Sequence, residues 1–509
     1  MPPPQSTWAT RRILDGPSVD KIISALTNTA VAQFDRTQAQ IAVLGPFSVL
    51  SFPHPKTDPP SLPPENLPIT SDVWPIWPLD QESRSLFQHY VSVISSKMMP
   101  FEDSRNPWKT RYPSMALSDD SAVYLAIRHA ILSQAAAHFE NIGYRTEHMK
   151  VLAMGHYSES LKALSTYLSE TTEYDYGAVL ASILSLIMAE TYGGGSVAWR
   201  YHLKIAWDLA TKSLPQKPWL FSETAWLTTQ SLCMLKLRMS IELDLDDAPT
   251  EHERDHVSWE EIVEPKSDTH VFQDMIASVS SRLEFGFTVG AAPQAAEGLS
   301  EAVTLIRQVK RHGLSEVYRS KINKLTERLS ALATGQAQYS TSLRDTHQTI
   351  FTLGIIIFIQ RQTINPAPSA LTPYSSRLFA CIQNIDARLS CDQPADRINR
   401  DSSHVSLWPV FLAAVECFRP QELRTARSWL GKLGKSGIGN RGDVSKVVQG
   451  VWKERRRRYY LQVGVISEAE DVDDDEDDYD DLVDIDGIGQ IIVDWREVMR
   501  VQGVDILLV

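Results

Sequence analysis

The sequence predicts an all-α protein, and three observations carry that expectation. From about residue 76 to about residue 465, apolar side chains recur at three- and four-residue spacing. Glycines, prolines and small polar residues fall at the ends of those stretches, where helices start and stop. Alternating apolar and polar runs bounded by hairpin turns are almost absent. Together these describe one large domain of stacked antiparallel helices, preceded by a proline-rich segment and carrying an acidic loop near its C-terminal end.

The elements follow in chain order. Fourteen of the 28 prolines fall within residues 1–78. Proline removes a backbone donor and blocks helix continuation, so residues 1–75 read as mostly irregular, with one short helical candidate near Ser18 to Arg36. The stretch SFPHPKTDPPSLPPENLP reads as a linker, and compact folding is expected to begin around Trp74 to Trp77. Ser118 is placed to cap a helix whose first turn carries Asp119 and Asp120, where the positive end of the helix dipole favours them. Along that helix Tyr124, Ile127, Ile131, Ala135 and Phe139 share one face. Trp199, Leu203, Ala206 and Ala210 form a second stripe, which Gly193-Gly194-Gly195 separates from the apolar helix before it. Further helical windows cover about 145–168, 177–191, 222–240, 300–332, 340–362, 371–390 and 404–460. Two segments, DLDDAPTEHERDHVSWEEIVEPKSD and GAAPQAAEG, read as exposed insertions. The domain plan is an N-terminal segment 1–75, a helical domain 76–465, an acidic disordered loop 466–490 and a segment 491–509 that packs on the helices.

Composition excludes several classes. Hydrophobic residues at 43% and aromatics at 9% are globular values, so a sizeable core is expected. The formal charge of −13 is local: residues 468–486 hold thirteen Asp or Glu and no Lys or Arg, which leaves the remainder neutral. No general basic surplus remains of the kind that binding to nucleic acid requires. The most apolar short run, Leu353 to Ile359, is closed by Gln360 and Arg361, far short of the roughly 20 residues that span a bilayer. No apolar stretch follows Arg11 and Arg12, so secretion is not expected either. Cys233, Cys381, Cys391 and Cys417 are scattered with no C-x-x-C among them, and read as buried free thiols.

Four motifs bear on chemistry. His252-Glu253-Arg254-Asp255-His256 matches the H-E-x-x-H pattern, in which histidines one helical turn apart hold zinc and the glutamate activates water. Glu284 lies downstream at a spacing suited to a third ligand. Pro249 lies close upstream, charged Arg254 and Asp255 fill the central positions and no further histidine motif follows, so a solvated, charge-rich insertion is the plainer reading. Gly431-Lys432-Leu433-Gly434-Lys435-Ser436 imitates a phosphate loop, but Trp429 stands where its first glycine belongs and no strand precedes it, so it reads as a loop between helices. Asp484-Ile485-Asp486-Gly487 resembles a fragment of a calcium loop, yet Leu482 and Val493 occupy the first and last ligand positions. Lys453, Arg455, Arg456, Arg457 and Arg458 form a compact basic run that suits nuclear import or phosphate contact, or equally the C-terminal end of its own helix. No catalytic residue, metal site or cofactor is expected.

One resemblance organises most of the chain. PFEDSRNPWKTRYPSMALSD (100–119), after LFQHYVSVISSKMM, resembles the opening of the fungal-specific transcription factor domain found C-terminal to binuclear zinc clusters, in the branch typified by the arginine-metabolism regulator of yeast. SAVYLAIRHAILSQAAAHFEN is similar to the long alanine-rich helix that follows in that family. SVAWRYHLKIAWDL, HVSLWPVFLAAVECFRPQELRTARSWL, GIGNRGDVSKVVQGVWKERR and DWREVMRVQGVDILLV resemble later family segments in the same order, and GPFSVL resembles a short motif before the domain. The resemblance spans about residues 45–509. It implies an all-helical regulatory domain of a nuclear transcriptional regulator, not an enzyme. Such a protein works through partners in the transcription machinery, another transcription factor, or a small effector held between helices. Trp108, Trp199, Trp408 and Trp452 are expected in the core with their indole N–H groups bonded nearby, and Asn106-Pro107 and Tyr112-Pro113 are expected to set a turn. Family members usually begin with six cysteines that hold two zinc ions, whereas no cysteine precedes Cys233 here. The cluster either lies upstream of Met1 or is missing from this member, and direct DNA binding by this sequence alone is not expected.

Overall fold

The computed structural model describes the strands Gln40–Leu44 and Phe47–Ser51, and residues 79–508 apart from 102, 172, 195–197, 244–268, 283, 340–341, 391–404 and 466–484. The chain divides into two compact units, Met1–Trp77 and Pro78–Val509. In the first unit the two strands, β1 (Gln40–Leu44) and β2 (Phe47–Ser51), pair antiparallel with Leu44 opposite Phe47. This hairpin lies within the segment expected to be mostly irregular. Ile41, Val43, Phe47 and Val49 supply the alternating β-favouring pattern that the surrounding prolines obscure. The helical candidate near Ser18 to Arg36 lies outside the described residues.

The second unit is all-α among its described residues. It opens with α1 (Gln81–His89), a π-helical turn (Tyr90–Ile94) and α2 (Ser95–Lys97). Asp80 caps α1, accepting from the backbone N–H groups of Glu82 and Ser83 at 2.9 Å each. There follow α3 (Arg111–Ala116), α4 (Ala122–Asn141), α5 (Thr146–Glu170), α6 (Tyr176–Gly193), α7 (Ala198–Lys212) and α8 (Glu223–Leu243). The second half holds α9 (Thr269–Ser280), α10 (Pro293–His312), α11 (Glu316–Tyr339), α12 (Leu343–Thr363), α13 (Pro368–Ser390), α14 (Leu407–Glu416), α15 (Pro420–Gly434) and α16 (Arg441–Gln462). The short α17 (Ile485–Ile488) and α18 (Trp495–Gln502) close the chain. Helices one or two places apart in the chain pack as neighbours: α4 on α5 and α6, α6 on α7 and α8, α12 on α11, α13 and α14. The two halves meet where α8 packs on α10.

Several local expectations are corrected by the helix ends. The long alanine-rich helix starts at Ala122 behind Ser121, not behind Ser118. Ser118 instead bonds back to the carbonyl of Ser114, while Asp119 accepts from the N–H of Ser121 at 2.8 Å and so shapes the turn before the helix. The windows 300–332 and 404–460 are two and three helices respectively, interrupted at Gly313, Arg419 and residues 435–440. GAAPQAAEG is not an exposed insertion: Ala291, Ala292, Ala295 and Ala296 are buried, and Pro293 opens α10. Proline at a first helical position sacrifices no hydrogen bond, which is why a helix starts inside that segment. Of the two expected turn pairs, Asn106 does set one, accepting from the N–H of Trp108 and donating to the carbonyl of Ser95. Tyr112-Pro113 lies instead in the first turn of α3.

The core is built where apolar helices cross closely. The expected stripe Trp199, Leu203, Ala206 and Ala210 is buried throughout. Helix α6 is long and apolar enough to cross a membrane by length and composition, but 83% of it is buried inside the protein. At the crossing of α12 and α14, a Cβ on Gly354 would sit 2.4 Å from Cβ of Pro409, so only glycine lets these two backbones approach. Beside this crossing, Arg361 forks onto Glu416 at 2.8 and 2.5 Å, both side chains being almost fully buried. Cys233 and Cys417 are buried free thiols whose pKa values burial pushes upward, which keeps them protonated and unreactive.

Candidate functional site

A cavity of about 730 Å³ opens between the two halves of the helical unit, within the size range of small-molecule sites. Its walls come from widely separated segments: α1 to α2, α6, α8, α13, α15 and the 435–441 connection. The side chains facing it are mostly apolar, among them Met98, Leu184, Ile187, Leu235 and Leu433.

One junction positions the inner wall. The N–H groups of Gly439 and Asn440 donate to the carbonyls of Tyr192 and Thr191 at 3.1 and 3.2 Å, tying the 435–440 connection to the last turn of α6. A Cβ on Gly439 would lie 2.5 Å from the carbonyl oxygen of Tyr192. Glycine is therefore required at 439, and the close approach it permits brings Ser436, Ile438 and Arg441 beside Tyr192. Arg441 is buried, and burial lowers its pKa to about 10, with the neighbouring Tyr192 opposing that shift. Tyr192 is fully buried and its hydroxyl has no hydrogen-bond partner among the described residues. Burial pushes the phenol's pKa well up, so it stands as a neutral donor. Thr288, also on the wall, holds a second buried hydroxyl with no partner among those residues.

A relay of nitrogens supports the same wall. Lys97 Nζ donates to the carbonyl of Ser436 at 3.1 Å and lies 3.2 Å from Nε2 of His138. His138 Nδ1 in turn lies 3.1 Å from Nε2 of His89. An ammonium only donates, so His138 Nε2 is the acceptor, its Nδ1–H donates onward, and His89 carries its proton on Nδ1. Burial first, and the Lys97 charge second, hold the pKa of each of these histidines down to about 4. Both rings are thus neutral near pH 7, and the positive charge of the relay stays on Lys97.

The basic run singled out in the sequence lies elsewhere, on α16. Arg455 is buried at 1% exposure and donates to the carbonyls of Cys417, Val415 and Ile491 at 2.8, 2.7 and 3.1 Å. Arg456 is buried as well. Arg458 bonds Glu454, the carbonyl of Ile492 and Glu497, and Arg457 lies 3.5 Å from Glu454. Lys453 is half-buried on the same helix. The run thus does not present its cations on one open face; its guanidinium groups close the C-terminal end of α14 and hold the 491–497 strip. A buried guanidinium can satisfy several orphaned helix carbonyls at once, which is what Arg455 does.

His252 and His256 lie outside the described residues, and Glu284 pairs with Arg105 at 3.5 Å. Among the described residues no group of three or more His, Cys, Asp or Glu is arranged to hold a metal ion. Gly431 to Gly434 are not loop but the last turn of α15, so no phosphate cradle forms there. Asp486 and Gly487 sit in the one-turn helix α17, and the acidic residues 466–484 lie outside the described residues. Trp108, Trp199, Trp408 and Trp452 are all buried as expected, and the indole of Trp452 donates to the carbonyl of Ala414 at 2.8 Å. That of Trp199 has no partner among the described residues. Trp108 also lines the cavity.

Sequence reasoning did not reach the cavity. Lys97, Tyr192, Arg238 and Arg441 carry no common motif and share no helix face. The usable signal was the pair of glycine clusters, 193–195 and 437–439, which mark backbones that must meet.

Among known proteins, a family model described as the fungal specific transcription factor domain matches residues 85–509. No curated protein matches the chain. The matched span takes in the whole cavity, the α6 junction and the C-terminal strip, and with most of its length covered the chain belongs to the fungal-specific transcription factor domain family.

Proposed function

We propose that this protein is a nuclear transcriptional regulator whose helical domain responds to a small effector held in the inter-helix cavity and passes that state to protein partners. The observation that carries the reading is the cavity itself, about 730 Å³ with walls drawn from both halves of the helical unit. A ligand there touches α1 to α2, α6 and α8 on one side and α13 and α15 on the other. It can therefore bias how the two sets of helices sit against one another. The family supports regulation without chemistry, since its members are transcription regulators. The test is to fuse the chain to a heterologous DNA-binding domain and measure reporter output, with Ile187→Trp as a cavity-filling variant. Regulated output that the variant changes is expected. No change in either direction, with the fusion present in nuclei, would count against the reading.

A second reading, a helical ligand-binding or interaction protein outside the nucleus, draws on the burial of Arg455 and Arg456, which removes two cations from the candidate import run. Microscopy of the tagged chain separates the two. Nuclear accumulation is expected, and exclusive cytoplasmic residence favours the second reading.

A further inference from the structure

We propose that the cavity takes an amphipathic organic anion, an aliphatic or aromatic carboxylate whose head lies against Lys97, Tyr192 and Arg441. This rests on the effector reading above and names the chemical class of the effector. The charge lining the cavity is one-sided. Lys97, Arg238, Lys432, Lys435 and Arg441 face it, while Asp386 is its one carboxylate among the described residues and is engaged by Lys432 at 2.6 Å. A cleft lined by one sign of charge and walled by low-dielectric side chains concentrates ligands of the opposite sign.

The polar groups are also arranged for a single head. The Gly439 junction fixes Tyr192 and Arg441 together, and Lys97 reaches the same connection through Ser436. Tyr192 adds a fully buried hydroxyl that no described residue engages. A carboxylate accepts from a phenol and from cations at once, whereas an ammonium ligand would meet like charges and find the lining carboxylate Asp386 already engaged by Lys432. Beyond this wall the lining is aliphatic and thioether, from Met98, Leu184, Ile187, Leu235 and Leu433, which suits a hydrocarbon or aromatic body. The long side chains of Lys432 and Lys435 are exposed at the rim, where they steer an anion inward.

The test uses the full chain and three probes with the same tail: dodecanoate, dodecanol and dodecylammonium, followed by isothermal titration calorimetry. Saturable one-site binding of dodecanoate is expected, with dodecanol about ten- to a hundred-fold weaker, the range set by loss of charge-assisted hydrogen bonds. Dodecylammonium is expected not to bind. Arg441→Met and Lys97→Gln should each weaken dodecanoate about tenfold or more while leaving dodecanol unchanged. Lys97 is only half-buried, so the second variant keeps the test open if the first fails to fold. Equal affinity for the three probes overturns the anion assignment and leaves the effector reading standing. Absence of binding by all three also overturns it, and the reporter response of Ile187→Trp then decides separately on the effector reading.

Discussion

Two groups of cations in this molecule behave in opposite ways. The run from Lys453 to Arg458 is contiguous and conspicuous in the sequence, yet Arg455, Arg457 and Arg458 are directed at carbonyls and carboxylates of the same chain, and Arg456 is buried. Arg455 alone reaches three carbonyls and lies 3.8 Å from Glu416, inside a buried charge group that Arg361 completes. The cavity cations are scattered over more than three hundred residues of sequence, and folding brings them to one cavity whose wall also carries a hydroxyl that no described residue engages. Adjacency along a helix places charges on several faces at once, so a compact run on a packed helix must bury part of itself. Convergence from separate helices can instead leave several charges facing one space.

The comparison breaks most easily at its buried end. Arg455→Met should cost about 3–5 kcal/mol in urea unfolding, because it leaves three carbonyls without their side-chain donor and removes a cation from beside the buried Glu416. A loss of less than about 1 kcal/mol would show that α16 holds the C-terminal strip without it.

Gly439→Ala tests the junction that makes the cavity wall. Its Cβ would meet the carbonyl oxygen of Tyr192 at 2.5 Å, so roughly 2–4 kcal/mol of destabilisation is expected in the same assay. Ligand binding should fall with it, whereas the Arg455 change should act on stability alone.

Acid should act on this protein through its buried histidines. His89 and His138 of the relay, and His156, which lies outside it 3.0 Å from His129, have folded pKa values of about 4 against an ordinary 6.5, in each case chiefly through burial. Between those values the unfolded chain binds more protons than the folded one, so stability rises with pH there and is lost as pH falls from about 6.5 to about 4. Urea midpoints at pH 7, 5.5 and 4.5 should decline in that order. His138→Gln should flatten the decline, while Arg457→Ala should leave its slope unchanged.

The smallest effect is expected at the exposed part of the run. Arg457 lies 3.5 Å from Glu454 with about a third of its side chain exposed, so Arg457→Ala should change stability by less than about 0.5 kcal/mol. Nuclear accumulation of that variant, compared with Lys453→Ala, reads any import role separately from folding.

What the sequence by itself determined is the helical class and most of the helices in it. That information is local: the three- and four-residue spacing of Trp199, Leu203, Ala206 and Ala210 requires only that one helix face be apolar. The ordered family segments from 100–119 to 494–509 identified the family for the same reason, since each is a short stretch whose apolar and tryptophan positions can be read in isolation. The helix ends were less legible. Whether Ser118 or Ser121 precedes the long helix depends on Asp119 and on Arg128, which donates to Asp120 and to the carbonyl of Ala116. GAAPQAAEG looked exposed because small residues are compatible with either side of a surface. Only the tertiary structure decided which charges are buried and which face a cavity. That outcome depends on backbone approaches such as Gly439 to Tyr192 and Gly354 to Pro409, between residues tens or hundreds of positions apart. Local sequence sets the periodicity of each helix, but the dielectric and the partners around a cation are set by whatever packs against it.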